Sequence, residues 1–167
     1  MNFDDLKKAL AKEAKAAGIC KEWYRYILDA NSKDRLLLLY YAGLDFALGN
    51  DFPSKRLRDE FNGIRQSYGI YDNGEVFGRI NTRRILAYKG AVGAASYDGY
   101  TVGQVWARAG SKITVSASAN AFVTIDMIEG ASVEVEAWGE ARVIVFRHGG
   151  DLKFKEQEKS KVTINND

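Results

Sequence analysis

From residue 111 onward, hydrophobic side chains occupy every second position and the pattern then resets. Written in tens, the chain reads SKITVSASAN, AFVTIDMIEG, ASVEVEAWGE and ARVIVFRHGG. The third and fifth residues of each block are β-branched: Ile113 and Val115, Val123 and Ile125, Val133 and Val135, Val143 and Val145. Alternation at a period of two marks strands, not helices. The better unit is 20 residues, because SASANAFVTID and EAWGEARVIVF hold equivalent positions, each with a small-residue turn ahead of an Ala-x-Val-x-(Ile/Val) strand. A coil of that length predicts a parallel β-solenoid, in which no coil buries its inward face alone and stacked coils form Val and Ile ladders. Ala117, Ala121, Ala131, Ala137 and Ala141 suit corners around a narrow core. Weaker copies at residues 85–88, 104–109, 152–154 and 162–164 extend the pattern to roughly four coils between residues 84 and 165. An antiparallel β-sandwich is the alternative, since its strands also alternate with regular turns; a sandwich has no reason to repeat at a fixed step.

Before residue 62 the apolar spacing is helical. Phe3, Leu6, Leu10, Ala14 and Ala17 recur at three and four residues, with Asn2 as N-cap and Gly18 as stop. A second short helix carries Trp23, Tyr26 and Ile27. Ser32 caps a third over residues 33–48, whose stretch from Leu36 to Tyr41 is apolar all round and therefore expected to be buried. Pro53 and Ser54 open a fourth that ends at Phe61. The class is α+β: a helical bundle or cap over residues 1–62, a junction over 63–83, and a β-solenoid over 84–167. Exposed strand edges at the ends of a short solenoid invite association. The helices are expected to cover one end, and the charged stretch KEQEKSKVTINND to blunt the other.

Composition narrows the function. Among 167 residues there are one His and one Cys, with 24 Lys+Arg against 22 Asp+Glu. One Cys makes no internal disulfide, and one His removes His-pair zinc motifs; no metal or cofactor is expected. The first twenty residues are charged throughout, unlike a signal peptide, and no apolar run approaches the roughly 18 residues of a membrane span. A cytosolic location is expected. The net charge of +2 gives no long basic stripe for extended nucleic acid.

No catalytic constellation stands out, so a non-enzyme is expected. His148 lies in Arg-His-Gly-Gly at a turn of the repeat, where the local sequence supplies no arrangement of an orienting carboxylate with an adjacent Ser or Cys nucleophile, and reads as an exposed turn residue. Cys20 reads as buried and structural. Glu134 and Glu136 share the outward face of one strand, where a solvated surface explains them more simply than glycoside chemistry does. The Gly-rich stretch 90–95 lacks the Lys of a P-loop. The segment 68–100 differs: Tyr71, Arg79, Arg83, Arg84, Tyr88, Lys89, Tyr97 and Tyr100 supply guanidinium forks for phosphates and rings that stack on bases, with few acids between them. They form the candidate site for a small anionic ligand of nucleotide type. Trp106, Phe122, Trp138 and Phe146 all fall on the outward parity of the β region and mark a candidate homo-oligomer interface.

The combination of Cys20-Lys21-Glu22-Trp23, Gly43-Leu44-Asp45-Phe46-Ala47 and Asn50-Asp51-Phe52-Pro53-Ser54 with Asp98-Gly99-Tyr100 and Ala119-Asn120-Ala121-Phe122-Val123 resembles small uncharacterised accessory proteins of gut bacteria, their phages and integrated elements. The resemblance covers most of the chain and transfers no catalytic residue. It implies a mobile-element protein that binds a host factor or, as an oligomer, sequesters a nucleotide immune signal in the host cytoplasm. A structural or protein-interaction module is the second expectation, and a carbohydrate-active solenoid using Glu134 and Glu136 the third.

Overall fold

A computed structural model describes residues 1–167 and divides them into two compact units, Met1–Ser67 and Tyr68–Asp167. The first holds α1 (Phe3–Ala16), α2 (Lys21–Asp29), α3 (Lys33–Ala42), α4 (Leu44–Gly49) and α5 (Lys55–Asp59). Asn2 and Ser32 cap α1 and α3 as expected, each side-chain oxygen accepting from the backbone N–H three residues on. The expected single helix over residues 33–48 is broken at Gly43. The position a β-carbon would take there is 3.3 Å from the Trp23 ring, so α2 packs against the break. The Leu36–Tyr41 stretch is buried on one side only, at Leu36, Leu37 and Tyr41, while Leu38 is exposed. Cys20, expected in the interior, is exposed just ahead of α2. No helix is long and apolar enough to cross a membrane.

The second unit is the parallel β-solenoid. Its strands are β1 (Ile70–Tyr71), β2 (Val76–Ile80), β3 (Arg84–Ala87), β4 (Val92–Tyr97), β5 (Val102–Ala107), β6 (Lys112–Ala117), β7 (Phe122–Met127), β8 (Ser132–Ala137), β9 (Arg142–Arg147), β10 (Asp151–Glu156) and β11 (Lys161–Asn166). Odd-numbered strands stack into one sheet and even-numbered strands into another, each in chain order and all parallel. Five coils result, followed by β11, which stacks on β9. The expectation of roughly four coils starting at residue 84 is therefore one coil short: β1 and β2 lie in the segment read as a junction.

That first coil escapes the repeat because its step differs. Val76 pairs with Val92, a step of 16 residues; Val92 pairs with Lys112 and Lys112 with Ser132, steps of 20; Ser132 pairs with Asp151, a step of 19. The shortened last step comes from a turn, His148-Gly149-Gly150, with one residue fewer than its counterparts. Gly150 has a φ of 90°, and a β-carbon there would stand 2.6 Å from the Ala131 carbonyl oxygen, so the tighter turn requires glycine.

Each coil consists of two near-equal halves, a six-residue strand and a four-residue turn, which is why ten residues is the visible period. Within a half, positions 1, 3, 5 and 7 face inward. Position 1 is a corner filled by Ala91, Ser111, Ala121, Ala131 and Ala141, all five essentially inaccessible, and by the partly buried Thr101. Positions 3 and 5 carry the ladders, Ile113 on Val133, Val115 on Val135, Val123 on Val143 and Ile125 on Val145. Burying each such side chain contributes about 1.5–3 kcal/mol, and the backbone pairs above and below satisfy the strand amides. Where position 3 is Gly93 or Gly103, an aromatic ring fills the vacated volume: Phe77 lies over Gly93 and Tyr97 over Gly103.

Candidate functional site

The residues expected to bind a small anion do not converge. Tyr71 and Tyr97 belong to the solenoid core, and a ring packed inside the coil stack offers no face to a base. Tyr71 stacks on Phe77 with centroids 4.1 Å apart and planes 8° apart. The Nε of Arg79 donates to its hydroxyl, and the guanidinium lies 5.6 Å from the ring centroid. The Tyr97 hydroxyl donates to the Thr82 carbonyl at 2.9 Å, and burial pushes its pKa well above the usual tyrosine value. Tyr88 is also buried. Arg83, Arg84, Lys89 and Tyr100 remain exposed. Lys89 sits in the turn after β3 and Arg83 in the connection before it, so the length of that strand, about 13 Å at 3.3 Å per residue, separates them.

Three of the four aromatics expected at an interface share the outer face of the odd-numbered sheet. Trp106, Asp126 and Phe146 form one row across β5, β7 and β9, while Val102, Phe122 and Arg142 form the row at the opposite margin. Phe122 and Phe146 are each 39 % exposed. Trp138 lies elsewhere, in the turn between β8 and β9 and only partly exposed.

A stronger apolar exposure falls where sequence patterning placed none. On the outer face of β2, Val76 and Ile80 are 83 % and 76 % exposed, and Val92, the partner of Val76 on β4, is 43 % exposed. Gly78 and Ala94 pair between them, and Ser96 pairs with Ile80. Six adjacent outward positions thus carry no charge and little bulk. Farther along the same face, Glu134 and Glu136 on β8 pair in register with Lys153 and Lys155 on β10, and Lys153 Nζ lies 4.0 Å from Glu134. The signal was present as Val76-x-Gly78-x-Ile80 against Val92-x-Ala94-x-Ser96; only its 16-residue offset hid it.

His148 is exposed in the turn after β9, as expected, and has carboxylate partners that its local sequence does not supply. Stacking brings Asp126 from the preceding coil and Asp167 from the end of β11 to opposite sides of the ring. Nδ1 is hydrogen-bonded to Asp167, and Nε2 is 3.2 Å from Asp126 Oδ2. The Asp167 hydrogen bond raises the imidazole pKa above its usual value; partial desolvation opposes this, and Asp126 adds to it. With both ring nitrogens engaged by carboxylates, neither is positioned to take a proton from a nucleophile. No group of three His, Cys, Asp or Glu side chains is arranged to hold a metal ion. No family model, curated protein or solved structure matches the chain.

Proposed function

We propose that the protein is a non-enzymatic binding module that works as a homo-oligomer, and that two copies meet through the outer face of β2 and β4. The supporting observation is the exposure of Val76, Ile80 and Val92 on a patch otherwise made of Gly78, Ala94 and Ser96. Exposed contiguous apolar surface is unfavourable in water. A face without charge meets its own copy with no like-charge repulsion, which the Glu134, Glu136, Lys153 and Lys155 end of the same sheet does not offer.

Native mass spectrometry with sedimentation velocity tests this. The wild type is expected to be oligomeric, Val76→Glu with Ile80→Glu monomeric, and Phe122→Glu with Phe146→Glu unchanged. A monomeric wild type overturns the reading. Dissociation by the phenylalanine pair alone moves the contact to the odd-numbered sheet.

Sequestration of a nucleotide-type anion, as in a mobile-element protein that blunts host defence, is the second reading. The adjacent exposed Arg83 and Arg84 favour it. A small-molecule mass retained by the wild type and lost on Arg83→Ala with Arg84→Ala supports it; bare protein mass from a native host background counts against it.

A further inference from the structure

We propose that His148 is a proton-operated latch holding β11 on the end of the solenoid. The argument is one of donors and acceptors. A neutral imidazole has one N–H and one bare nitrogen, whereas ionised carboxylates only accept. His148 faces a carboxylate with each nitrogen, Asp167 at Nδ1 and Asp126 at Nε2, so only the imidazolium satisfies both contacts.

The other charged groups around it do not supply a substitute. On β9 itself, the Arg147 guanidinium is committed to the Gly150 carbonyl, with contacts of 2.6 and 3.1 Å. Glu129, in the turn after β7, brings a third carboxylate beside Gly149. Arg108 occupies the same row two coils back. From the residue just past β11 the facing group is Asp167, and from β7 it is Asp126.

The strand so held is supported by the ladder on one side only. β11 ends its sheet and pairs with β9 alone. Its inward side chains are Val162, buried, and Ile164, partly so. Its first residues are anchored independently: the Val162 amide donates to Glu156 at 2.8 Å, and the Ser160 hydroxyl donates to the Ala137 carbonyl at 2.9 Å. The far end has the His148 contact, so opening starts there. Release uncovers the β9 edge with Val143 and Val145 behind it, a strand edge able to accept another strand.

The direction with pH follows by linkage. The His148 pKa in the folded chain lies above the unfolded 6.5, so its stabilising contribution is complete below about 6.5 and is lost as pH rises through the folded value. The chain has one histidine, so a single imidazole signal in proton NMR reports it without assignment. Amide exchange, corrected for intrinsic rate, is followed in β11 with β7 as internal reference. Titration above 6.5 is expected. Protection of residues 163–166 should fall about tenfold for each pKa unit that the Asp167 contact supplies. Asp167→Asn should lower the imidazole pKa and abolish the step while leaving β7 protected, and His148→Gln should make β11 exchange independent of pH. A titration at or below 6.5, or a step in β11 that persists in either variant, overturns the latch.

Discussion

The ring of Phe77 lies across Gly93 of the next coil, its carbons 2.4 Å from where a β-carbon on Gly93 would stand. The two residues share one side chain's volume, and the ring cannot retreat because Tyr71 stacks on its other side. Gly93→Ala is therefore expected to destabilise the solenoid by about 1–3 kcal/mol, the usual cost of overpacking a filled core. Adding Phe77→Leu should recover part of that loss. Urea unfolding of the two single variants and the double variant gives the coupling; strict additivity would refute the shared-volume account.

Tyr97 fills the equivalent space over Gly103 and differs in having a hydroxyl to satisfy. Tyr97→Phe leaves the Thr82 carbonyl without its 2.9 Å donor and should cost about 1 kcal/mol. Its raised pKa has a defined sign. Above about pH 10 the unfolded chain releases the phenolic proton and the folded chain retains it, so stability falls with rising pH. Alkaline difference spectra should show one tyrosine that ionises only on unfolding, and Tyr97→Phe should remove that step.

Turns that lead from the even-numbered sheet to the odd-numbered one place a left-handed residue at their second position, Gly99, Ala119, Gly139 and Glu158, with φ between 54° and 64°. Ala119 holds this conformation against its β-carbon. Ala119→Gly is expected to be neutral or to stabilise by up to about 1 kcal/mol. The reverse change one coil later, Gly139→Ala, meets the Ala119 backbone nitrogen at 2.9 Å and should be destabilising. Thermal melts of both variants check the asymmetry, and equal effects would contradict it.

At the corners leading into the even-numbered sheet, position 1 accepts Ala or Ser because the cavity matches one small side chain. The Ser111 hydroxyl donates to the Arg108 carbonyl at 2.6 Å, while Ala91 and Ala131 occupy the same corner on neighbouring coils. Ser111→Ala is expected to change stability by no more than about 1 kcal/mol, whereas Ser111→Val should cost about 1–3 kcal/mol by overfilling. Chemical denaturation separates the two outcomes.

The middle coils were legible because their inward residues are aliphatic and their step is constant. Ile113, Val123, Val133 and Val143 announce the ladders directly. The first coil was not, since its 16-residue step falls outside the repeat and Phe77 with Gly93 conserves volume between coils while breaking the aliphatic pattern, as Tyr97 with Gly103 does one coil later. The same substitution made Tyr71 and Tyr97 look like ligand contacts, although their rings serve the core. His148 is the exposed turn residue its sequence indicates, but its carboxylate partners are invisible locally because they lie 22 residues before and 19 after, about one coil in each direction. The broken helix at Gly43 reflects packing against Trp23, which helical periodicity does not record.

The near-equivalence of the two halves of a coil has a consequence for how such a chain can change length. Insertion of one ten-residue block would leave every inward position correctly filled, because strand and turn repeat at that interval. It would, however, exchange the two sides of everything downstream, sending the Glu134 and Glu136 side chains to the flank that bears Phe122 and Phe146. The interior tolerates growth in tens, while the decoration of the exterior survives only growth in twenties.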